Sequence, residues 1–360
     1  MTSTAIEPLE SRKRVMTVPP PVPPRSRTPT CVAAVVLITV AALATAVSAC
    51  GFPNRRGAAD AIGETIRTLP GVTVADVRYN TSIDSGAHFD LDVTLADTAT
   101  DTQAATLGRT FADRVKAADF AEFDVTLDVA YRVPNDPNPL VPGSRATFDY
   151  HFAGNPHGGP SSTDIADSLA LWLGVAQSPA AASVQLQQPA WSGPANSKDI
   201  TVVLPASVDD AAITDLIHAH PELNTATWQI NIPPANRFAQ PRTYTARGRF
   251  PDQHLRGLWQ QIVDQIGPDD EAEATTNTND THTPTRVEFS VESGSDEQQR
   301  FEHIAHAVTP LLPGLGLPVY LRLLAQADQI QFTLGGCDPP DPAHTPSPLE
   351  SELRRHYQHC

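Results

Sequence analysis

Every second residue from Phe89 to Leu95 is apolar: Phe89, Leu91, Val93 and Leu95 alternate with Asp90, Asp92 and Thr94, and His88 precedes them. A period of two puts the two sets on opposite faces of a β-strand, one for a core and one for water. From Asp101 the period becomes that of a helix, with Leu107, Phe111 and Val115 at four-residue steps and Asp101 or Thr102 placed as a cap. Alternation then resumes through Phe123, Val125, Leu127, Val129 and Tyr131. An Ala-rich helix over about 58–69, ended by Pro70-Gly71, and a strand VTVADVRY precede this run. The stretch therefore reads α-β-β-α-β.

The order returns twice. Strand RATFDYHF, a helix over about 163–177, strands SVQLQQ and DITVVL, a helix over 208–219 and strand ATWQINI form one copy. Strand TYTARGRF, a helix over 252–266, a polar strand near 271–278, strand RVEFSVE, a helix over 295–312 and strands between Val319 and Leu334 form the next. The segments Ala59–Leu95, Ala166–Leu204 and Leu255–Val291 span 37, 39 and 37 residues. This spacing predicts three diverged β-α-β-β-α-β units at 51–140, 141–235 and 236–337, joined by linkers such as VPNDPNPLVPGS, with a Pro-rich tail over 338–360. Such units resemble the ferredoxin-like split βαβ, and the order α-β-β-α-β resembles the BON modules of bacterial envelope proteins, which are associated with phospholipid surfaces. The resemblance implies an α+β protein of three tandem units, each an antiparallel sheet covered by helices on one face.

A different feature speaks to location. Between Cys31 and Cys50 lie eighteen uncharged residues, preceded by Arg25 and Arg27. The length falls between a secretory apolar region and a spanning helix. Val47-Ser48-Ala49-Cys50 resembles the lipobox of bacterial lipoproteins, an aliphatic residue and two small ones before the cysteine that takes a diacylglyceryl thioether. That resemblance implies lipidation of Cys50 and a body held by its acyl chains on the extracytoplasmic face. An uncleaved single-pass helix is the alternative, and five basic residues before the segment again put the body outside. Residues 1–30 read as a disordered Pro-rich basic leader, with Met16 as a possible true start.

Composition narrows the partners. The net charge is −16, and discounting the five basic and two acidic residues of the leader moves it to −19. Lysine occurs only at positions 13, 116 and 198, so the body has no basic stripe for counterion release and nucleic acid is not expected as a partner. The excess of Arg over Lys, with abundant Ala and Pro, resembles actinobacterial proteins. Of the four cysteines, Cys337 and Cys360 remain as a disulfide pair if Cys31 leaves with the signal and Cys50 is acylated.

Two places could carry binding or chemistry. Asp90 and Asp92 share the polar face of one strand and Asp124 and Asp128 that of another; if the strands are neighbours, four carboxylates meet and suit a hard cation or an Arg/Lys-rich partner. A solvated sheet face needs polar residues in any case. The loop 153–164 has His157, Gly158 and Gly159 before Ser161, Ser162 and Thr163. His157-Gly158-Gly159 resembles the oxyanion loop of esterases, but no G-x-S-x-G accompanies it, and turn glycines before a Ser/Thr/Asp cap explain the loop equally. His303 and His306 stand one turn apart, without further ligands placed by spacing. No catalytic set, metal site or cofactor motif is read. The expectation is a membrane-tethered extracytoplasmic lipoprotein acting as a non-enzymatic envelope binding or assembly factor, with membrane lipid and a basic envelope protein as partners. A lipid carrier, or a hydrolase using the 153–164 loop through His157 and Ser161, are the alternatives.

Overall fold

The computed structural model describes residues 54–82, 84, 86–120, 122–132, 143–151, 160–189, 198–205, 207–232, 242–267, 269–277, 285–337 and 344–359. The leader, Cys31, Cys50, the 152–159 part of the loop with His157, and Cys360 lie outside the described residues. No helix among the described residues is long and apolar enough to cross a membrane.

The chain opens with α1 (Arg56–Arg67), the hairpin β1 (Val72–Ser82) and β2 (Gly86–Leu95), and α2 (Asp101–Ala117). Then come hairpin β3 (Asp124–Tyr131) and β4 (Ser144–His151), α3 (Ser162–Ala176), hairpin β5 (Ser183–Gln188) and β6 (Asp199–Leu204), and α4 (Asp210–Ala219). Hairpin β7 (Thr227–Ile232) and β8 (Arg242–Arg247), α5 (Gln253–Val263), hairpin β9 (Glu271–Asn277) and β10 (Thr285–Ser290), and α6 (Glu297–Val308) follow. Hairpin β11 (Val319–Leu324) and β12 (Gln329–Leu334) and a last helix α7 (Pro348–Tyr357) complete the succession.

The expected three separate antiparallel sheets are not what these elements build. All twelve strands form one mixed sheet in the order β1 to β12, so that sequence neighbours are space neighbours throughout. Each hairpin pairs antiparallel, and each strand that follows a crossover helix pairs parallel with the strand before that helix, as β3 does with β2 and β5 with β4. In a ferredoxin-like unit a strand is inserted between the two that a helix joins; here the helix delivers its strand directly alongside, the simplest short connection. Both arrangements have the same element order and the same periodicities. The strands on either side of the expected unit boundaries are neighbours in this sheet: β3 pairs antiparallel with β4, and β7 with β8.

Burial follows the alternation. Phe89, Leu91, Val125, Leu127, Phe148, Val184, Val202, Trp228, Tyr244, Val287, Leu321 and Phe332 are all buried and belong to one core cluster with the apolar residues of the helices. Two glycines set close approaches. A Cβ on Gly63 of α1 would lie 2.3 Å from Val77 Cγ2, and one on Gly108 of α2 would lie 2.7 Å from Ile165 Cγ2 of α3. Helix starts are chemically marked. Thr100, ahead of the expected Asp101 or Thr102, caps α2 in a capping box with Gln103, and Ser161 caps α3 with Asp164. Part of the expected tail forms a helix: Ser347 caps α7 through Glu350 N–H, with Pro348 in the first turn.

Candidate functional site

The face opposite the helices carries the alternate, polar residues. At its β1 end the strand register brings the predicted carboxylates together. Parallel pairing of β2 and β3 sets Asp92 opposite Asp128, His88 opposite Asp124, and Asp90 opposite Thr126. Antiparallel β4 adds a carboxylate that the sequence reading missed: Asp149 lies opposite Thr126, and Thr126 Oγ1 donates to Asp149 Oδ1 at 3.2 Å. Its signal was present, since alternation in RATFDYHF places Asp149 on the face of Arg145 and Thr147. What was lacking was the knowledge that β4 lies beside β3. On the other side, Asp76 of β1 stands opposite Asp92, giving a register row Asp76, Asp92, Asp128, Thr147.

Two arginines partly offset this charge. Arg78 Nε lies 2.8 Å from Asp92 Oδ2, and Arg145 Nη1 lies 3.9 Å from Asp128 Oδ2. Thr147 Oγ1 donates to Asp128 Oδ1 at 2.5 Å, and His88 Nδ1 lies 3.7 Å from Asp124 Oδ2. The balance is unfavourable to ionisation at two positions. Partial burial raises the Asp92 carboxyl above its ordinary value, with Asp128 and Asp90 adding to the effect and Arg78 and Arg145 opposing it. Burial likewise raises Asp149, and Asp128, Asp90 and Asp124 add repulsion against the Thr126 hydrogen bond. The corner thus holds carboxylates together at an electrostatic cost that an approaching cation would relieve. Among the described residues no group of three His, Cys, Asp or Glu is arranged to hold a metal ion.

The other expected sites fall elsewhere. The Ser161 hydroxyl donates to Asp164 Oδ2 at 2.7 Å and accepts from Asp164 N–H, so it is engaged in the α3 cap. His303 and His306 are exposed on α6, while Phe301, Ile304 and Val308 are buried. Cys337 is disulfide-bonded. Beside it, Gly335 N–H donates to Tyr357 C=O at 2.9 Å, which brings the end of α7 back to the end of β12. A cleft of about 370 Å³ lies between α4 and the β8–α5 turn, lined in part by Asp210, Arg249 and Phe250. It is remote in sequence from the 153–164 loop.

Compared with protein-family models, curated protein sequences and solved structures, the chain matches none.

Proposed function

We propose that this protein is a lipoprotein anchored through Cys50 at the extracytoplasmic face of the membrane, acting as a non-enzymatic binding factor whose acidic sheet corner engages a basic envelope protein. The observation that carries the reading is the crowding of Asp90, Asp92, Asp124, Asp128 and Asp149 on one open face, with the Asp92 and Asp149 carboxyls both raised from their ordinary value. Cationic side chains from a partner favour the ionised form of each, and interactions of this kind steer association and fix orientation. The body's net charge has the same sign as the corner. The lipobox resemblance of Val47-Ser48-Ala49-Cys50 supports the anchoring, and the Cys337 disulfide accords with an oxidising compartment.

Two measurements test this. An N-terminal peptide beginning at Cys50 with diacylglyceryl mass, lost together with membrane association in Cys50→Ala, is the expected outcome for the anchor; an unmodified peptide running through Cys50 refutes it. For the corner, a lysine-rich peptide is expected to bind the full chain with strong salt dependence, and Asp92→Asn with Asp128→Asn to weaken binding about tenfold. Equal affinity for the double variant removes the acidic corner as the site.

A further inference from the structure

The two edges of the sheet differ. On β12, Gln331 turns its backbone outward and α7 occupies both groups: Gln331 N–H donates to Glu350 Oε2 at 3.4 Å, and Arg354 Nη2 donates to Gln331 C=O at 2.8 Å. Glu350 is wholly buried, with Arg354 Nε 2.7 Å from Oε1 and His344 Nε2 2.7 Å from Oε2. Farther along, Gly335 donates to Tyr357 C=O. This edge is closed by side chains that imitate a neighbouring strand.

Among the described residues the β1 edge is open. Ala75 C=O accepts from Arg67 Nη2 at 2.6 Å, which marks Ala75 as outward-facing, and antiparallel alternation then turns Val77, Tyr79 and Thr81 outward as well. Among the described residues, Arg67 is the one side chain that bonds to the backbone of this row, and it is half exposed and also paired with Glu64. At eleven residues β1 is longer than any other described strand. Its missing neighbour has a defined direction. The strands β3, β5, β7, β9 and β11 each follow a helix and pair in parallel with the strand before it. β1 also follows a helix, α1, which lies close over Val77 through Gly63, yet no strand among the described residues lies on that side.

We propose that the β1 edge accepts an extended segment of a partner protein, added parallel to β1, with alternate apolar side chains beneath α1 and basic side chains on the open face. The charge follows from the register: the exposed Asp76 begins the row that continues through Asp92 and Asp128, so a basic residue beside Asp76 meets the acidic corner directly. The inference rests on the basic partner proposed above and specifies how that partner binds. A second copy of this chain with its helices on the same face does not fit the edge. It would bring its own α1 over its own β1, and paired strands lie about 4.8 Å apart whereas packed helices need about 8–10 Å.

The test uses the full chain and an acetylated heptapeptide of alternating valine and lysine, with an alternating valine and glutamate peptide for comparison. The lysine peptide is expected to slow amide exchange at Val77 and Tyr79 and to leave Gln331 unchanged. Val77→Pro removes an outward N–H without touching the β1–β2 ladder and is expected to weaken binding at least about tenfold. Asp76→Lys leaves the backbone intact, so it remains informative if the proline variant fails to fold; it is expected to weaken lysine-peptide binding about fivefold and favour the glutamate peptide. Binding that tolerates Val77→Pro but not Asp92→Asn with Asp128→Asn overturns strand addition and leaves the acidic corner standing. Binding insensitive to all these changes overturns both, and concentration-dependent dimerisation that protects β1 without peptide overturns the choice of occupant.

Discussion

Three buried tryptophans show how far single residues differ within one repeated scheme. Trp172 Nε1 donates to Val184 C=O and Trp228 Nε1 to Gly248 C=O, each at 3.1 Å, while Trp259 Nε1 is buried with no partner among the described residues. All three rings are fully buried, so replacement by Phe loses comparable packing, but only Trp172 and Trp228 also lose a hydrogen bond. Trp172→Phe is expected to destabilise by about 1 kcal/mol more than Trp259→Phe in urea unfolding followed by circular dichroism. Charge at the acidic corner gives a second residue-scale prediction. The Asp149 carboxyl is raised above 3.8 in the folded chain. The folded state therefore holds that proton more tightly than the unfolded state, and the associated stability is present at low pH and lost as pH rises through the raised value. Asp149→Asn should stabilise the protein at pH 7, and the gain should vanish as pH falls below the ordinary carboxylate value. A melting-temperature series across pH 3 to 8 checks the sign.

Among the elements, α7 was the one least expected, because a Pro-rich segment suggests a tail. Its start was nevertheless legible: Ser347-Pro348-Leu349-Glu350 has the cap, the first-turn proline and the acidic third residue of a helix N-terminus. Its anchor was not, since nothing in the spacing of His344, Glu350 and Arg354 says that Gln331 lies beneath them. Glu350→Ala leaves Arg354 and His344 without their buried partner and is expected to destabilise by about 3 kcal/mol, with faster amide exchange at Gln331. Comparable exchange at Gln331 in the variant would show that α7 does not guard the edge. Peptide mapping under non-reducing conditions is expected to join Cys337 to Cys360, because the Gly335–Tyr357 hydrogen bond already holds the two ends together. Breaking that bond by Cys337→Ser is expected to loosen α7 before any other helix.

For the molecule as a whole, a sheet in which every strand neighbours its sequence neighbours has two ends and only two. One is closed by α7 and the other presents β1. Amide exchange in the full chain should accordingly be fast at Val77 and Tyr79, slower at Gln331, and slowest in strands paired on both sides such as β6 and β7. Within each element the amino-acid order was decisive, because the strand at 86–95, the helix at 101–117 and the strand at 183–188 depend on periods of two and 3.6 that local side-chain burial enforces. The same periods placed Asp90 with Asp92, and Asp124 with Asp128, each pair on one strand face. Which strand lies beside which was a different question. A split and an unsplit βαβ bury the same apolar residues in the same order, so periodicity cannot separate three antiparallel sheets from one mixed sheet of twelve strands. Only tertiary pairing joined Asp92 to Asp128, brought Asp149 beside them, and left β1 open while α7 closed β12, because hydrogen bonding between strands is a choice of partner that no strand carries in its own sequence.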